Sequence, residues 1–549
     1  MRTKQDKAGI SVSAIAGTYV VFLGIDMAFE NSEGLMGFAI HRTDTQAGTS
    51  GFMPGMKRFA SSTDGLRADG RYSTEHQPLQ SFWWADYTAE PGRGYTYRVI
   101  ARKGAPGALS DAGEVVVTVQ AEAPEDGRHD VYFNRGVAGS QAYARQFGDR
   151  RPNEVENGEA FTWLSRGLYE ALEAFVSNCV PGRHHLRIAA YEFRYPRFLQ
   201  LIRAAVDRGV DVRVVYDARD DDMALANDTA VDEAGLAEIA VRRTRPKSYI
   251  AHNKFIVKLD KDVPVAVWTG GTNFSEGGIF GHSNVAHVAE DETVARAFLD
   301  YWTALSQDPD SNSLKDLVET LTPLPAGDLP PGTTVVFSPR RDDAALRWYA
   351  DLAMRAEHGV FMTFAFGMHD LFKEVYRNNA SPFRSALLEA ATRPMKDGPE
   401  RDAERERIQD LRNLKANLFA IGNMVRPNQL DGWVQERLSG LNSHVRYVHN
   451  KFMLLNPLTR DPIVATGSAN FSRASTISND ENMLVIRGDT RVADIYFGEF
   501  MRLYSHHAFR ESLNWQQPER WLREDSWWRE YFGDSHRSIR RQFFSGLEI

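Results

Sequence analysis

HNKFIVKLDKDVPVAVWTGGTNFS, from His252 to Ser275, and HNKFMLLNPLTRDPIVATGSANFS, from His449 to Ser472, are two copies of one pattern. Each opens on His-Asn-Lys, runs through an apolar segment and closes on Thr-Gly-Gly/Ser-x-Asn-Phe-Ser. His252 precedes Asn273 by 21 residues, and His449 precedes Asn470 by 21. A buried strand accounts for the apolar part but gives no reason for His, Lys and Asn to recur at fixed offsets. Alternate side chains of a strand share a face. His252 and Lys254 are therefore expected to point one way and Asn253 the other, as are His449 and Lys451 in the second copy. AVWTGG and IVATGS read as neighbouring strands ending in tight turns. Their small residues (Gly270, Gly271, Gly467, Ser468) let backbone N–H groups approach an anion. Asn273 and Asn470 follow the turn, placed to reach back to the same pocket.

A phosphodiester needs a nucleophile on phosphorus, an acid in line behind the departing oxygen, and donors on the non-bridging oxygens. Two histidines supply nucleophile and acid, because imidazole titrates near neutrality. Two lysines and two asparagines hold the oxygens with no metal or other cofactor. One copy carries half of this set; two copies facing each other across a pseudo-twofold axis carry all of it.

These motifs resemble the HKD motifs of the phospholipase D superfamily, HxKxxxxD followed by GSxN, over roughly residues 131 to 510. The resemblance implies one site made by both motifs, His252 transiently phosphorylated and His449 acting as acid and then base. Lys254, Lys451, Asn273 and Asn470 complete the expected catalytic set, with Ser275, Ser468, Ser472 and Glu481 in support. Two positions depart from the pattern. Leu259 and Asn456 stand where the family has Asp, with Asp260 and Asp461 further on. Gly271 replaces the usual Ser that Ser468 keeps. Aligning SNVAHV (283–288) with DENMLVI (480–486) sets Ser283 opposite the acidic side, so Glu481 is expected to orient one histidine alone, and His287 is expected to be structural.

The rest of the chain frames this site. Residues 1–122 read as an all-β sandwich: TYVVFLGI, GLMGFAIHRT, SFWWADYTA, YTYRVIARKG and EVVVTVQAE are rich in β-branched and aromatic residues, with turn clusters between them. The stretch Tyr95–Ala101, after Pro91-Gly92-Arg93-Gly94, resembles a late strand of a fibronectin type III or immunoglobulin-like sandwich. A linker follows near Ala121–Asp130. Beyond it HLRIAAYEF, RFLQLIRAAVDRGV and VDVRVVYDA give β-α-β, which implies a parallel sheet with crossover helices. GVFMTFAFGM, HDLFKEVYR and NLFAIGN repeat the series. The fold class is thus a β-sandwich followed by two α/β lobes, over 123–330 and 331–510. The charged stretch 379–413 reads as solvated helix and loop. Residues 511–549, with Trp515, Trp521, Trp527 and Trp528, read as an amphipathic closing helix on the body. The basic run Arg242–Lys247 reads either as a solvated loop or, through Arg243, Arg245 and Lys247, as the entrance for a polyanion.

Across 549 residues, 42% are hydrophobic, 25% are charged and the net charge is −8. That is the profile of a globular multidomain chain without a global nucleic-acid-binding charge. Cys179 is the only cysteine, which rules out an intrachain disulfide and points to a reducing compartment. The interrupted apolar start reads as a first strand rather than a signal peptide, and no run of about 18 apolar residues spans a membrane. The expected location is cytoplasmic. The expected partner is a phosphodiester substrate, nucleic acid ahead of phospholipid, with the β-sandwich available to a protein partner. A phospholipase D acting on phosphatidyl lipids and an inactive binding protein stand as alternatives.

Overall fold

A computed structural model describes residues 1–136, 139–219, 221–245, 249–423, 435–441, 445–514 and 521–549. Two seven-stranded sheets dominate it. The first runs, edge to edge, His129–Phe133, Val285–Ala289, Val263–Gly270, Lys254–Asp260, His184–Ala190, Asp211–Asp217, Ala240–Arg243. The second runs Gly332–Ser338, Glu481–Arg487, Ile463–Gly467, Phe452–Leu455, Val360–Phe364, Arg384–Leu388, Asn417–Ile421. The strand order is the same in both, so the repeat in the motifs extends to the whole lobe.

The sheets are mixed rather than parallel. Only the last three strands of each run parallel, joined through helices such as Pro196–Asp207 and Asp370–Asn378. The motif strands pair antiparallel with their neighbours. HLRIAAYEF to VDVRVVYDA forms the expected β-α-β unit, and the motif strands pair antiparallel with the neighbouring strands expected of AVWTGG and IVATGS, as short connections require. The stretch 379–413 also differs from a solvated insertion. It holds the fully buried strand Arg384–Leu388 in mid-sheet before the exposed helix Pro399–Arg412. Strand Arg384–Leu388 is flanked on both sides by partners, so even Arg384 is buried, its guanidinium spent on Asn417 and backbone carbonyls.

Helix Thr490–Leu513 is buried on nearly every face, as a helix central to several layers must be. Tyr496 meets Phe133 and Phe452, and Phe497 meets Phe22 and Phe361, so one helix touches both lobes and the N-terminal region. That region contains two four-stranded antiparallel sheets whose inner faces share Val12, Leu23, Phe38, Tyr97 and Val117. Trp527 and Trp528 complete this core from the C-terminal end, and the Trp527 indole donates to Leu35 O at 2.7 Å. The closing segment is a 3₁₀ turn, Trp527–Tyr531, and a helix, His536–Ser545, rather than one amphipathic helix. Trp521 is 41% exposed, and Trp515 lies outside the described residues. Among the described residues no helix is long and apolar enough to cross a membrane.

Candidate active site

Each motif strand begins at or after its lysine, so His252 and His449 sit on the extended segments leading into the strands. Both segments run along the junction between the lobes. His449 N donates to Ser283 O at 3.1 Å and Ser283 N to Tyr447 O at 2.9 Å; on the other side of the pseudo-dyad Asp480 N donates to Ile250 O at 3.0 Å. The backbone itself stitches the two halves together, and both histidines are 5% exposed.

Each histidine is oriented by the opposite lobe. The Nδ1 of His252 lies 2.9 Å from the Glu481 carboxylate, and the Nδ1 of His449 lies 3.1 Å from Asn284 Oδ1. Asn284 follows His252 by 32 residues and Glu481 follows His449 by 32. The counterpart of Glu481 is therefore Asn284. Pairing Glu481 with Ser283 is a register error of one residue, and the repeated offset was the signal that would have found Asn284. In both rings Nδ1–H is committed to the orienting group, which turns Nε2 towards the shared pocket.

The lysines fold back onto the motif segments, Lys254 with its ammonium over the Tyr191 ring. Lys451 Nζ is 2.9 Å from His449 Nε2 and also donates to His449 O, while Lys254 Nζ donates to His252 O. Both ammonium groups are buried, 1% exposed. The amide oxygens of Asn273 and Asn470 are buried with no hydrogen-bond partner among the described residues. Asn253 is turned away as expected, with its oxygen taken by Asn482 at 2.8 Å.

Glycine is required at two turns: a Cβ on Gly270 or Gly467 would overlap the carbonyl oxygen of Val285 or Asn482 in the neighbouring strand. Ser468 sits under the second turn and accepts from Asn482 N at 3.0 Å. Ser472 caps helix Arg473–Ile477, and Ser275 accepts from Gly278 N at 3.1 Å while donating to Glu192. All three serines hold the turns that carry the asparagines. At the departing positions, Leu259 is buried in the core, and Asn456 accepts from His358 N and Gly359 N at 2.9 and 3.2 Å. Neither is placed to orient a histidine. His287 lies in the core between His129, at 2.9 Å, and Tyr496, at 3.1 Å, a structural position.

Arg243 and Arg245 do not line an entrance. Both are buried against Asp480, Arg243 at 3.1 Å, and Arg243 also pairs with Asp308 at 2.5 Å. Their charges are consumed in tying the loop of the first lobe to the second. Lys247 lies outside the described residues. Asp480→Ala would leave Arg243 with Asp308 alone and take from Arg245 the carboxylate it is buried against, and removing one partner from a buried ion pair costs about 3–5 kcal/mol. Urea unfolding is expected to show that loss. A change under about 1 kcal/mol would mean solvent reaches the pair.

Electrostatics follow from burial. It pushes His252 down to about 4, with the Glu481 carboxylate opposing, and it pushes His449 well below the ordinary imidazole range. Glu481 is held below the usual carboxylate range despite burial, by its hydrogen-bonded pairing with His252 and by Lys254. Burial also pushes Lys254 down to about 7, against the raising effect of Glu481, Glu192 and Asp217. A lysine with a depressed pKa loses its cation as pH rises through that value. Among the described residues no group of three or more His, Cys, Asp or Glu is placed to hold a metal ion.

The surroundings of the two histidines differ. Tyr191 packs on the His252 ring, centroids 4.9 Å apart, with Glu192 beside it. On the other side His282 lies 4.4 Å from the His449 ring and Phe366, 38% exposed, meets it edge-on at 6.1 Å.

Residues 181–305 match the protein family described as "Cardiolipin synthase, PLD-like domain". No curated protein matches the chain. Among solved structures it is similar to polyphosphate kinase from Porphyromonas gingivalis, at 11% identity and TM-score 0.36, covering 58% of this chain and only 43% of that one. It is also similar to phosphatidylserine synthase of Haemophilus influenzae Rd KW20, at 12% identity and TM-score 0.44, covering 62% of this chain and 85% of the synthase. Nuc from Salmonella typhimurium, a phospholipase D family member, shares 26% identity at TM-score 0.22 over 26% of this chain and 87% of its own. The chain thus carries a phospholipase D-like domain at residues 181–305, and a second lobe of the same strand order completes the site.

Proposed function

We propose that the chain is a metal-independent phosphodiesterase that works through a phosphohistidine on His252, with His449 as general acid and then general base, and that its substrate is nucleic acid. The observation that carries this reading is the unequal pair of hydrogen bonds behind the rings: a carboxylate on His252 Nδ1, an amide on His449 Nδ1. Attack on phosphorus makes His252 cationic, and the Glu481 carboxylate stabilises that cation. The Asn284 amide gives His449 no such support, so a proton on its Nε2 is released readily.

In the first step His252 Nε2 bonds to phosphorus, the bond to the leaving oxygen breaks with its electron pair, and His449 delivers a proton to that oxygen. In the second, His449 takes a proton from water, the hydroxide oxygen bonds to phosphorus, and the P–N pair returns to His252. Lys254 and Lys451, with the side-chain N–H groups of Asn273 and Asn470, hold the non-bridging oxygens throughout. A phosphodiester anion seated between the lysines also raises the proton affinity of the histidines, since opposite charge within a few Å favours the charged form.

Phe366 supports a nucleic-acid substrate: an exposed ring beside the acid offers a stacking face for a base on the leaving-group side. The family description of residues 181–305 favours a second reading, phosphatidyl transfer, in which an alcohol replaces water in the second step. Incubation with labelled single-stranded DNA, duplex DNA, RNA, and phosphatidylglycerol vesicles with and without an alcohol acceptor, EDTA present throughout, separates these. Cleavage of nucleic acid supports the first reading. Alcohol-dependent turnover of lipid with nucleic acid intact replaces it with the second, and no turnover of any substrate leaves a binding protein.

A further inference from the structure

The rings of His252 and His449 are oriented from the opposite lobe; the backbone that leads into each of them is held by a carboxylate of its own lobe. Asp217 ends strand Asp211–Asp217, and its Oδ1 accepts the N–H of Ala251 at 2.8 Å. Glu389 directly follows strand Arg384–Leu388, and its Oε2 accepts the N–H of Val448 at 2.7 Å. Ala251 and Val448 are the residues immediately before His252 and His449. The two strands hold the same place in their sheets, next to His184–Ala190 and Val360–Phe364, and Tyr216 and Leu388 end the two parallel registers. The same contact is therefore made twice, once per lobe, by residues of different length and type.

The second clamp is the larger. Glu389 also accepts Tyr447 N on Oε2 at 3.1 Å and Arg446 N on Oε1 at 2.8 Å, gathering three consecutive peptide N–H groups. The first lobe needs less, since Asp217 is fully buried and holds one. Burial raises both carboxyls, Asp217 to about 6 and Glu389 to about 7, so neither owes its place to cheap solvation. A buried carboxylate repays its desolvation only through good partners; Glu389 spends both oxygens on the peptide that aims His449, while Asp217 spends Oδ1 on the peptide before His252 and sets Oδ2 3.3 Å from the Arg219 guanidinium.

We infer that Asp217 and Glu389 are positioning residues, which fix the backbone before His252 and His449 by accepting its N–H groups, one carboxylate per lobe. The inference rests on the proposal that these two histidines react. It does not depend on which phosphodiester they cleave.

Four variants test it: Asp217→Ala, Asp217→Asn, Glu389→Ala and Glu389→Gln, each checked for cooperative unfolding. Two readouts are needed: kcat and KM, and hydrogen–deuterium exchange of peptides covering 249–254 and 446–451. Both alanine variants are expected to lose about 30- to 100-fold in kcat, as misplacement of a reacting group by about 1 Å does, with KM within about threefold. Exchange should quicken at the peptide facing the substitution and not at the other. Asp217→Asn keeps one acceptor for one N–H and should restore kcat to within about threefold. Glu389→Gln keeps one oxygen for three N–H groups and should fall between Ala and wild type. Unchanged exchange and near-normal kcat in folded alanine variants would overturn the inference. So would Asp217→Asn failing as badly as Ala, which would make charge rather than acceptance the relevant property. A wild-type protein that turns over no phosphodiester refutes the proposed function, while the exchange data still decide the clamp.

Discussion

His252→Ala is expected to lower turnover of the true substrate by at least about 10⁴-fold, because removing a covalent nucleophile removes the pathway rather than one contact. His449→Ala is expected to match it for a substrate with a poor leaving group. The two variants should part company on a p-nitrophenyl phosphodiester, whose phenolate departs without a proton. There His449→Ala should still release close to one equivalent of nitrophenol per protein and then stall, since no base remains to activate water. His252→Ala should release none. A full burst from His252→Ala and none from His449→Ala would reverse the assignment of roles. Steady turnover by either would mean that a single lobe suffices.

Glu481→Gln is expected to lower kcat by up to about 10⁴-fold at nearly constant KM, the loss that follows when the carboxylate behind a catalytic imidazole becomes an amide. The change is nearly isosteric, and it makes the environment of His252 resemble that of His449, which already has an amide behind it. The rings stay oriented, but the charge that stabilises a cationic His252 is gone. Asn284→Asp, on the other side, puts a carboxylate behind the acid and is expected to slow leaving-group departure by holding the proton on His449. If Glu481→Gln kept kcat within about threefold, the carboxylate would be a structural tether. The nucleophile would then have to be argued from something other than the asymmetry of the two partners.

Both readings depend on contacts that cross between lobes, and these were the hardest to see in the sequence. The motif residues were legible because His, Lys, Gly and Asn recur at fixed offsets with no packing reason to do so. The lobe-edge strands His129–Phe133 and Gly332–Ser338 went unread, while the strands His184–Ala190, Asp211–Asp217, Val360–Phe364 and Asn417–Ile421 were legible from their apolar runs. Arg384–Leu388 was not: the Arg at its start and the charged helix behind it outweigh a short apolar run, although a central strand needs only five buried residues. Asn284 was hidden by its chemistry. An amide opposite a carboxylate looks unrelated until the register of Gly270 with Ala286 and of Gly467 with Met483 sets them level. Asp217 and Glu389 were hidden by distance, since nothing local links a strand end to a histidine 35 or 60 residues on. Arg243 and Arg245 show the opposite limit. A basic run carries no mark that says whether it faces solvent or a buried Asp480.

The most direct measurement is the site of phosphorylation. Wild-type protein mixed with a cleavable phosphodiester in EDTA, quenched in alkali within the first turnovers and digested, should yield an acid-labile, alkali-stable phosphoryl adduct on the peptide carrying His252, and none on the peptide carrying His449. Turnover with no adduct on either histidine, or an adduct on His449, would contradict a site in which Glu481 makes His252 the nucleophile.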